Sequence, residues 1–338
     1  MIRTGVSART ESRCESEIAY PGVRQWLRRT ARGRPLSAIV TELKGGLGNQ
    51  MFQYAAGRAL SLRLGRPLTL DLSWFDQHAE ETSRRYALDA FPIEASRTSV
   101  APSEATKPSA TLLRRIAGRI NSRWDRRRGV VVDEPHWHYW DGFERIAGPA
   151  HLRGYWQSPR YFEAVAAAIR GDFSFPQLPS DQSRDLAARI SQAACAVAVH
   201  VRRGDYVGDP HIAAIHGGCC SAAYYGRALE QLAGAYGPLD LFVFSDEPNW
   251  VKTNFDTHGH QAVVVDIASH KEASYHDMHL MTLSRHHVIA NSSFSWWGAW
   301  LGRVPEGSVI APKTWFNRAG AYGAYVTEDV YPRSWIRL

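Results

Sequence analysis

The chain has 338 residues, of which 44% are hydrophobic and 22% are charged, and its formal net charge is +7. This composition predicts a globular protein, and the length suits two α/β domains because it is long for a single core. The positive charge favours an anionic partner, such as a nucleotide, an acidic glycan or an anionic lipid surface, and does not by itself indicate nucleic acid.

The predicted elements begin after a polar, basic stretch at 1–36, for which we predict a disordered or loosely helical extension. A role at a membrane surface is the alternative for this stretch. A strand is then predicted at 38–43, a helix with one apolar stripe at 49–64, and a second strand at 67–71. Together these three elements predict a β-loop-α-β unit.

The middle of the chain contains a predicted insertion and a predicted linker. The stretch 96–128 is rich in Ser, Pro and Arg, and it predicts an exposed insertion with one helix. The sheet pattern resumes at 130–132. The stretch 134–140 concentrates histidines and tryptophans, which suit either a packed polar core or a platform on which a pyranose ring stacks. A helix is predicted at 159–170, and the Pro-containing segment 173–180 is the predicted linker between domains.

After the linker, helices and strands alternate regularly, which predicts a parallel, doubly wound sheet. We therefore divide the chain into an N-terminal domain at 37–175, a C-terminal domain at 180–311 and a tail at 312–338, which we expect to pack back on the N-terminal domain. The predicted strands of the C-terminal domain are 196–201, 241–245, 261–266, 288–290 and 308–311. Its predicted helices are 181–194, 221–236, 274–285 and one that begins near Ser293.

The strand predicted at 196–201 ends abruptly in polar residues. His200, Arg202, Arg203 and Asp205 all fall at this end. Ligands of open α/β sheets bind at the carboxyl ends of the strands, and guanidinium groups match phosphate oxygens in geometry and charge. A bound phosphate or pyrophosphate is therefore the first hypothesis, and a turn with two solvated arginines is the alternative.

A glycine-rich turn follows the first predicted strand. Gly46 and Gly48 start like a dinucleotide-binding fingerprint, but Met51 occupies the place of the third glycine, where a helix must pack closely on a strand. NAD binding is therefore weakly supported. The chain also lacks the Gly-Lys-Ser/Thr of a nucleotide triphosphatase loop.

Serines and carboxylates supply further binding groups in the C-terminal half. Ser292, Ser293 and Phe294 open the helix that follows a short strand, where hydroxyl groups and free backbone N–H groups make an anion cradle. An ordinary helix N-cap is the alternative. Asp246 and Asp277 can accept hydrogen bonds from a guanine or a ribose, although a single acid of this kind is more often a solvated surface residue.

The cysteines and the hydropathy pattern bear on the compartment. Cys14, Cys195, Cys219 and Cys220 include an adjacent pair and one residue of a predicted buried strand, so they form neither a disulfide framework nor a zinc pattern. A reducing compartment fits this usage. No apolar run approaches the roughly 18 residues of a membrane span, and we expect a protein that is soluble or only peripherally attached to a membrane.

At this point the motifs resemble a known family. The sequence from His200 to Asp205 resembles the His-x-Arg-Arg-x-Asp motif of the α1,2-, α1,6- and protein O-fucosyltransferases. Residues 45–55, 243–246 and 291–300 resemble the α1,2-fucosyltransferases of glycosyltransferase family 11, and the resemblance runs from about Glu42 to Trp315.

The resemblance implies a GT-B fold, in which two Rossmann-like domains face each other across a cleft. The N-terminal domain would lie on the acceptor side, and the C-terminal domain would bind GDP-fucose. It also implies inversion at the anomeric carbon of fucose, no cofactor and no required metal. The lack of any Asp-x-Asp sequence agrees with the last point, because metal-dependent transferases of the other common fold bind the sugar nucleotide through that motif.

The resemblance also implies roles for the residues at the strand ends. Arg202 would contact the pyrophosphate, and Arg203 would be partly structural. Asn49 would lie near the transferred fucose, and Asp205 would orient an arginine. The implied catalytic residues are Arg202, Asn49 and Asp205. The implied donor-binding residues are Gly46, Gly48, His200, Arg202, Arg203, Asp246, Asp277, Ser292, Ser293 and Phe294.

The leading hypothesis is a galactoside 2-alpha-L-fucosyltransferase that acts on a bacterial surface glycan such as lipopolysaccharide O-antigen. Its partners would be GDP-fucose and a galactose-terminated acceptor, with no nucleic acid. The enzyme would be cytoplasmic, with peripheral contact with the inner membrane as an alternative. An α1,6- or protein O-fucosyltransferase is the alternative within the same fold, and a non-catalytic glycan- or nucleic-acid-binding module is the alternative from another class.

Overall fold

The computed structural model describes residues 38–99, 130–270, 273–304 and 306–338. The basic extension predicted at 1–36 lies outside these residues. So does most of the insertion predicted at 96–128, of which the first three residues form an edge strand.

The first sheet is parallel throughout, and within the described residues its strand order is β3-β2-β1-β5-β4. β1 lies at its centre, and helix α1 (Leu47–Leu64) follows it directly. The strands are β1 (Ile39–Glu42), β2 (Leu68–Asp71), β3 (Ser96–Thr98), β4 (Val130–Asp133) and β5 (Ala150–Arg153).

The second sheet is also parallel throughout, with the order β11-β10-β9-β6-β7-β8 in the part of the chain that is described. Its central strand β6 spans 196–201 as predicted, and all six of its residues are buried. The two-residue strand β11, which adds part of the tail to this sheet, was not predicted. The strands are β6 (Ala196–Val201), β7 (Asp240–Ser245), β8 (Gln261–Val264), β9 (His286–Val288), β10 (Val309–Ala311) and β11 (Ile336–Arg337).

Helices connect the strands of both sheets. Two of the predicted helices begin within one residue of their predicted starts. Ser180 and Ser221 cap them, because each side-chain hydroxyl accepts a hydrogen bond from the backbone N–H three residues on. The helices after α1 are α2 (Ser73–Gln77), α3 (Ala166–Asp172), α4 (Asp181–Gln192), α5 (Gly204–Gly208), α6 (Pro210–His216), α7 (Ala222–Tyr236), α8 (Pro248–Asn254), α9 (Tyr275–Thr282) and α10 (Ser293–Trp300). None of the described helices is long and apolar enough to cross a membrane.

Four predicted elements differ clearly from the structure. The helix predicted at 159–170 is broken into two 3-10 turns followed by α3, because the backbone leaves the helical region at Phe162 (φ −135°) and Val165 (φ −122°). The helix predicted at 274–285 ends at Thr282, and β9 occupies 286–288 instead of 288–290. The single apolar stripe predicted for the helix at 49–64 is wrong, because α1 is buried on nearly all sides.

The burial of α1 follows from its place between the two domains. Phe52 on this helix lies 4.5 Å from Trp296 and 5.1 Å from Trp297, measured between ring centroids, and both tryptophans belong to α10 of the second domain. The Trp297 indole N–H also donates to the backbone carbonyl of Gly48 at 3.0 Å. One hydrophobic cluster therefore runs through both domains.

The loops that follow β1, β5, β6, β7, β9 and β10 all line one cleft. Because the strands within each sheet are parallel, this arrangement directs the carboxyl ends of both sheets towards the same space. The structure therefore confirms the predicted GT-B arrangement of two Rossmann-like domains that face each other across a cleft.

Candidate active site

The cleft between the two sheets has a volume of ≈ 600 Å³, which lies within the usual range for small-molecule sites. It brings together almost all of the residues that the sequence singled out. The predicted residues that line it are Gly46, Gly48, Asn49, His200, Arg202, Asp205, Asp246, Asp277, Ser292, Ser293 and Phe294.

Arg202 is held between two carboxylates in this cleft. Its Nη2 lies 2.7 Å from Asp205 Oδ1, and its Nη1 lies 3.1 Å from Asp246 Oδ2. Burial opposes the charge, but the two carboxylates outweigh it and raise the pKa of Arg202 above its usual value. The guanidinium is therefore a fixed positive charge, and 22% of its side chain remains exposed.

Arg203 is the one predicted site residue that does not line the cleft. Its Nε pairs with Glu247 Oε2 at 3.1 Å, and its guanidinium lies 3.6 Å from the centre of the Trp250 ring. These contacts direct it to a second, smaller cavity of ≈ 360 Å³. The Arg203 backbone N–H donates to Asp246 Oδ1 at 3.0 Å, so the motif fixes Asp246 by its main chain.

Gly204 is required by the close approach of Asp246. A Cβ atom at this position would lie 2.4 Å from Asp246 Oδ2, the oxygen that pairs with Arg202. Any larger residue would therefore displace the carboxylate that holds the arginine. This close contact explains why glycine stands between Arg203 and Asp205 in this chain.

His200 lies on β6, next to Arg202, and is only 4% exposed. Burial, assisted by the positive charge of Arg202, lowers the pKa of His200 to about 3. The imidazole is therefore neutral at physiological pH. Its Nδ1 is buried and has no hydrogen-bond partner among the described residues.

Asp277 lies in the first turn of α9 and reaches the cleft, so it is not a surface acid remote from the site. Its Oδ1 accepts a hydrogen bond from His270 Nδ1 at 2.6 Å. His270 is 2% exposed, and its Nε2 lies 2.8 Å from the hydroxyl of Ser183. This buried chain of contacts fixes the orientation of the carboxylate.

Asn49 forms a bridge between the two domains. Its Oδ1 accepts hydrogen bonds from Ser293 Oγ at 2.6 Å and from Gln157 Nε2 at 2.8 Å. With its oxygen used twice, the amide is oriented so that Nδ2 remains as a donor. Gly48 permits this contact, because a Cβ there would lie 2.4 Å from the Ser293 carbonyl carbon.

The serines at the start of α10 have separate local contacts. The Ser292 hydroxyl accepts from the Phe294 backbone N–H at 3.4 Å, which is the N-cap that the sequence left as an alternative. The Phe294 ring lies 5.7 Å from the His200 ring, so it covers the end of β6. Both serines still line the cleft, so the first turn of α10 borders this space.

An aromatic wall, which we define as Trp137, Tyr155, Phe316 and Tyr322, lines part of the cleft. The Trp137 ring lies 4.8 Å from Phe316 and 5.4 Å from Tyr155. The sequence indicated Trp137 through its cluster of histidines and tryptophans. It gave no sign of Phe316 or Tyr322, because these come from the tail and reach the wall only through the fold.

Two further residues connect the aromatic wall to the arginine. Tyr206 stacks on His216, with ring centroids 4.8 Å apart, and Phe316 lies 5.4 Å from the same histidine. The Arg202 guanidinium lies 5.6 Å from the Tyr206 ring. The cleft thus passes from a charged end to an aromatic end through continuous contacts.

Potential metal ligands are not clustered in the described part of the chain. Within the described ranges, no group of three or more His, Cys, Asp or Glu side chains is placed to do so. The described cysteines, Cys195, Cys219 and Cys220, are free thiols.

The family model and the similar proteins that match this chain agree with one another. Residues 146–338 match the model of Glycosyl transferase family 11. Alpha-1,2-colitosyltransferase of Escherichia coli is 32% identical over 304 residues, which cover 90% of this chain and 99% of that protein. O-antigen biosynthesis glycosyltransferase WbnK of Escherichia coli is 31% identical over 314 residues, which cover 88% of this chain and 99% of that protein. Galactoside 2-alpha-L-fucosyltransferase of Caenorhabditis elegans is 24% identical over 188 residues, which cover 54% of this chain and 51% of that protein.

Proposed function

Because the chain belongs to glycosyltransferase family 11, we propose that it transfers L-fucose from GDP-fucose to the 2-hydroxyl of a terminal galactoside. The acceptor would be a surface glycan such as lipopolysaccharide O-antigen, and the relative named O-antigen biosynthesis glycosyltransferase, which is covered over 99% of its length, supports this choice. We place the reaction in the cytoplasm, with peripheral contact with the inner membrane as an alternative.

The observation that carries this proposal is the position of Arg202. A fixed guanidinium lies at the carboxyl end of the central strand, in a cleft between two parallel sheets. A nucleoside diphosphate gains negative charge when its bond to the sugar breaks, and a preorganised cation stabilises that charge. Arg202 would therefore bind the diphosphate in the ground state and stabilise it further in the transition state.

In the proposed reaction, the galactoside hydroxyl attacks the anomeric carbon from the face opposite the diphosphate. The bond from that carbon to the diphosphate oxygen breaks, and GDP leaves with the electron pair. The hydroxyl proton passes to solvent water as the new glycosidic bond forms. Asp205 would orient Arg202, and the Asn49 amide would donate a hydrogen bond to the transferred sugar.

The guanine would lie near Asp277, His200 and Phe294. Asp277 supplies a carboxylate that accepts hydrogen bonds, and the neutral imidazole of His200 offers a polar atom without adding positive charge. Asp246 would act chiefly by holding Arg202. Arg203 would act by holding Asp246 through its main chain.

The aromatic wall supports a sugar acceptor at the other end of the cleft. Pyranose rings present an apolar face of C–H groups, which packs well on aromatic side chains, while their hydroxyls stay free for hydrogen bonds. Tyr155 and Tyr322 also carry hydroxyl groups of their own. The wall is continuous with the charged end of the cleft, as a reaction between two bound sugars requires.

A second candidate, transfer of colitose, is favoured by the relative that carries the name alpha-1,2-colitosyltransferase. Colitose is fucose without its 3-hydroxyl, so both donors would use the same diphosphate and guanine contacts. The two functions differ in one hydroxyl of the transferred sugar.

The experiment that tests the proposal is release of GDP from GDP-fucose and from GDP-colitose, each with and without β-galactosides. We expect acceptor-dependent release from GDP-fucose and a product with an α1,2 linkage, measured by NMR. Faster release from GDP-colitose would establish the second candidate instead. An α1,6 linkage would contradict the assignment of the 2-hydroxyl, and no acceptor-dependent release with either donor would contradict both candidates.

A further inference from the structure

The charges that line the cleft point to an arginine outside the sequence motif. In the described part of the lining, Arg84 and Arg202 are the cations, and they face the carboxylates Asp205, Asp246 and Asp277. Arg202 is already paired with two of these carboxylates. With Arg202 alone, a diphosphate would meet one positive and three negative charges, and Arg84 reduces this imbalance to two against three.

Arg84 is held in place by a buried glutamine. Gln50 is fully buried, and its Nε2 donates to the backbone carbonyls of Gly45 at 3.0 Å and Arg85 at 2.8 Å. Its Oε1 accepts from the Ala87 backbone N–H at 2.9 Å. Gln50 thus fixes both the glycine turn after β1 and the loop that carries Arg84, and a Cβ on Gly46 would lie only 3.3 Å from Arg84 Nη1.

Arg84 reaches across the cleft to the second domain. Its Nη2 lies 3.1 Å from Asp205 Oδ2, whereas Arg202 binds the other oxygen of the same carboxylate. Two guanidinium groups, one from each domain, therefore flank a single carboxylate. This is the arrangement that a phosphate group needs, because guanidinium groups bind carboxylate and phosphate oxygens with the same planar geometry. The Arg84 side chain is 44% exposed and can be reached by a ligand.

We propose that Arg84 is the second arginine of the diphosphate site, supplied by the N-terminal domain. When the donor binds, Arg84 exchanges Asp205 for a diphosphate oxygen, and Asp205 keeps its contact with Arg202. Arg84 then stabilises the charge that develops on the leaving GDP. This inference rests on the proposed nucleotide-sugar donor, and it adds a catalytic residue that the sequence motif does not contain.

The test compares Arg84→Gln with Arg85→Gln. The neighbouring Arg85 belongs to the same loop, and the hydrogen bonds of its guanidinium to described residues go to backbone carbonyls of that loop, at 3.3 and 3.5 Å. Both variants lose one positive charge, but only Arg84 lines the cleft. Calorimetry with GDP and with guanosine, beside initial rates of transfer, would be measured on variants with the same melting temperature as the wild type.

For Arg84→Gln we expect GDP affinity to fall roughly 10- to 100-fold, as for loss of a hydrogen bond between charged groups, with little change for guanosine. We also expect kcat to fall, since the leaving-group charge grows in the transition state. Arg84→Lys should restore only part of both losses, because lysine lacks the bidentate fork. Arg85→Gln should behave like the wild type.

Two results would overturn the inference. The first is GDP affinity and kcat in Arg84→Gln equal to those of Arg85→Gln. The second is an equal loss for GDP and guanosine that Asp205→Asn reproduces, because that pattern would mean that Arg84 only fastens the two domains through Asp205. If the wild type binds GDP but transfers no sugar, the proposed function is refuted, and the GDP affinities of the variants still test the role of Arg84. If the wild type does not bind GDP at all, both the proposed function and the role of Arg84 are refuted.

Discussion

Removal of the Asp277 carboxylate should weaken the binding of guanine nucleotides and reduce selectivity for guanine. A carboxylate that accepts from guanine N1–H and the 2-amino group contributes about 1.5 to 3 kcal/mol, the range for hydrogen bonds to charged groups. Asp277→Ala should therefore raise the Kd for GDP roughly 10- to 150-fold. The same change removes the partner of His270 Nδ1, which is buried, so we also expect a loss of about 1 to 3 kcal/mol in the free energy of unfolding.

A second variant separates the two effects. Asp277→Asn keeps an oxygen for His270 but loses the negative charge, so it should fold normally and still bind GDP more weakly. Calorimetry would compare GDP with inosine diphosphate, which lacks the 2-amino group. The wild type should prefer GDP, and both variants should lose most of this preference. Unchanged GDP affinity in Asp277→Asn and Asp277→Ala, or an unchanged preference, would refute the placement of guanine at this carboxylate.

Three further predictions address the cation, the metal and the pH. Arg202→Ala should lower both GDP affinity and kcat, with partial recovery in Arg202→Lys, and wild-type turnover in the alanine variant would remove the motif from the mechanism. Transfer should persist in EDTA, because protein groups are proposed to bind the diphosphate; loss of activity that manganese restores would contradict this. Burial lowers the pKa of His287 from its usual 6.5 to about 4. The unfolded chain binds this proton first, so the free energy of unfolding should fall as pH drops from about 6.5 to 4, by up to roughly 3 kcal/mol for this group. Urea unfolding across this range should show a smaller decline in His287→Gln.

The sequence predicted most accurately those parts whose signals are local. β6 was predicted to the residue, because a strand buried on both faces reads as a continuous apolar run and stops where polar residues begin. The same boundary indicated Arg202 as a site residue. The starts of α4 and α7 were also predicted to within one residue, and Ser180 and Ser221 cap these helices through neighbours within three residues.

The parts that the sequence missed depend on contacts between distant segments. α1 looked amphipathic in sequence, but the second domain covers its other face through Trp296 and Trp297. Arg84 follows no local pattern, and its partner Asp205 is 121 residues away. Phe316 reaches Trp137 in the same way. Such residues can be assigned to the cleft only after the two domains have been packed together.

The aromatic contact between α1 and α10 has a consequence for how substrates are received. An enzyme whose domains move on a flexible hinge must use part of its binding energy to bring them together. Here Phe52, Trp296 and Trp297 form part of one core, and Gly48 leaves no room between the helices. This packing holds the two halves of the cleft at a fixed distance, so we expect adaptation to a ligand to fall to individual side chains such as Arg84. The same packing should make the two domains unfold in a single transition, because neither can expose this interface without losing part of its own core.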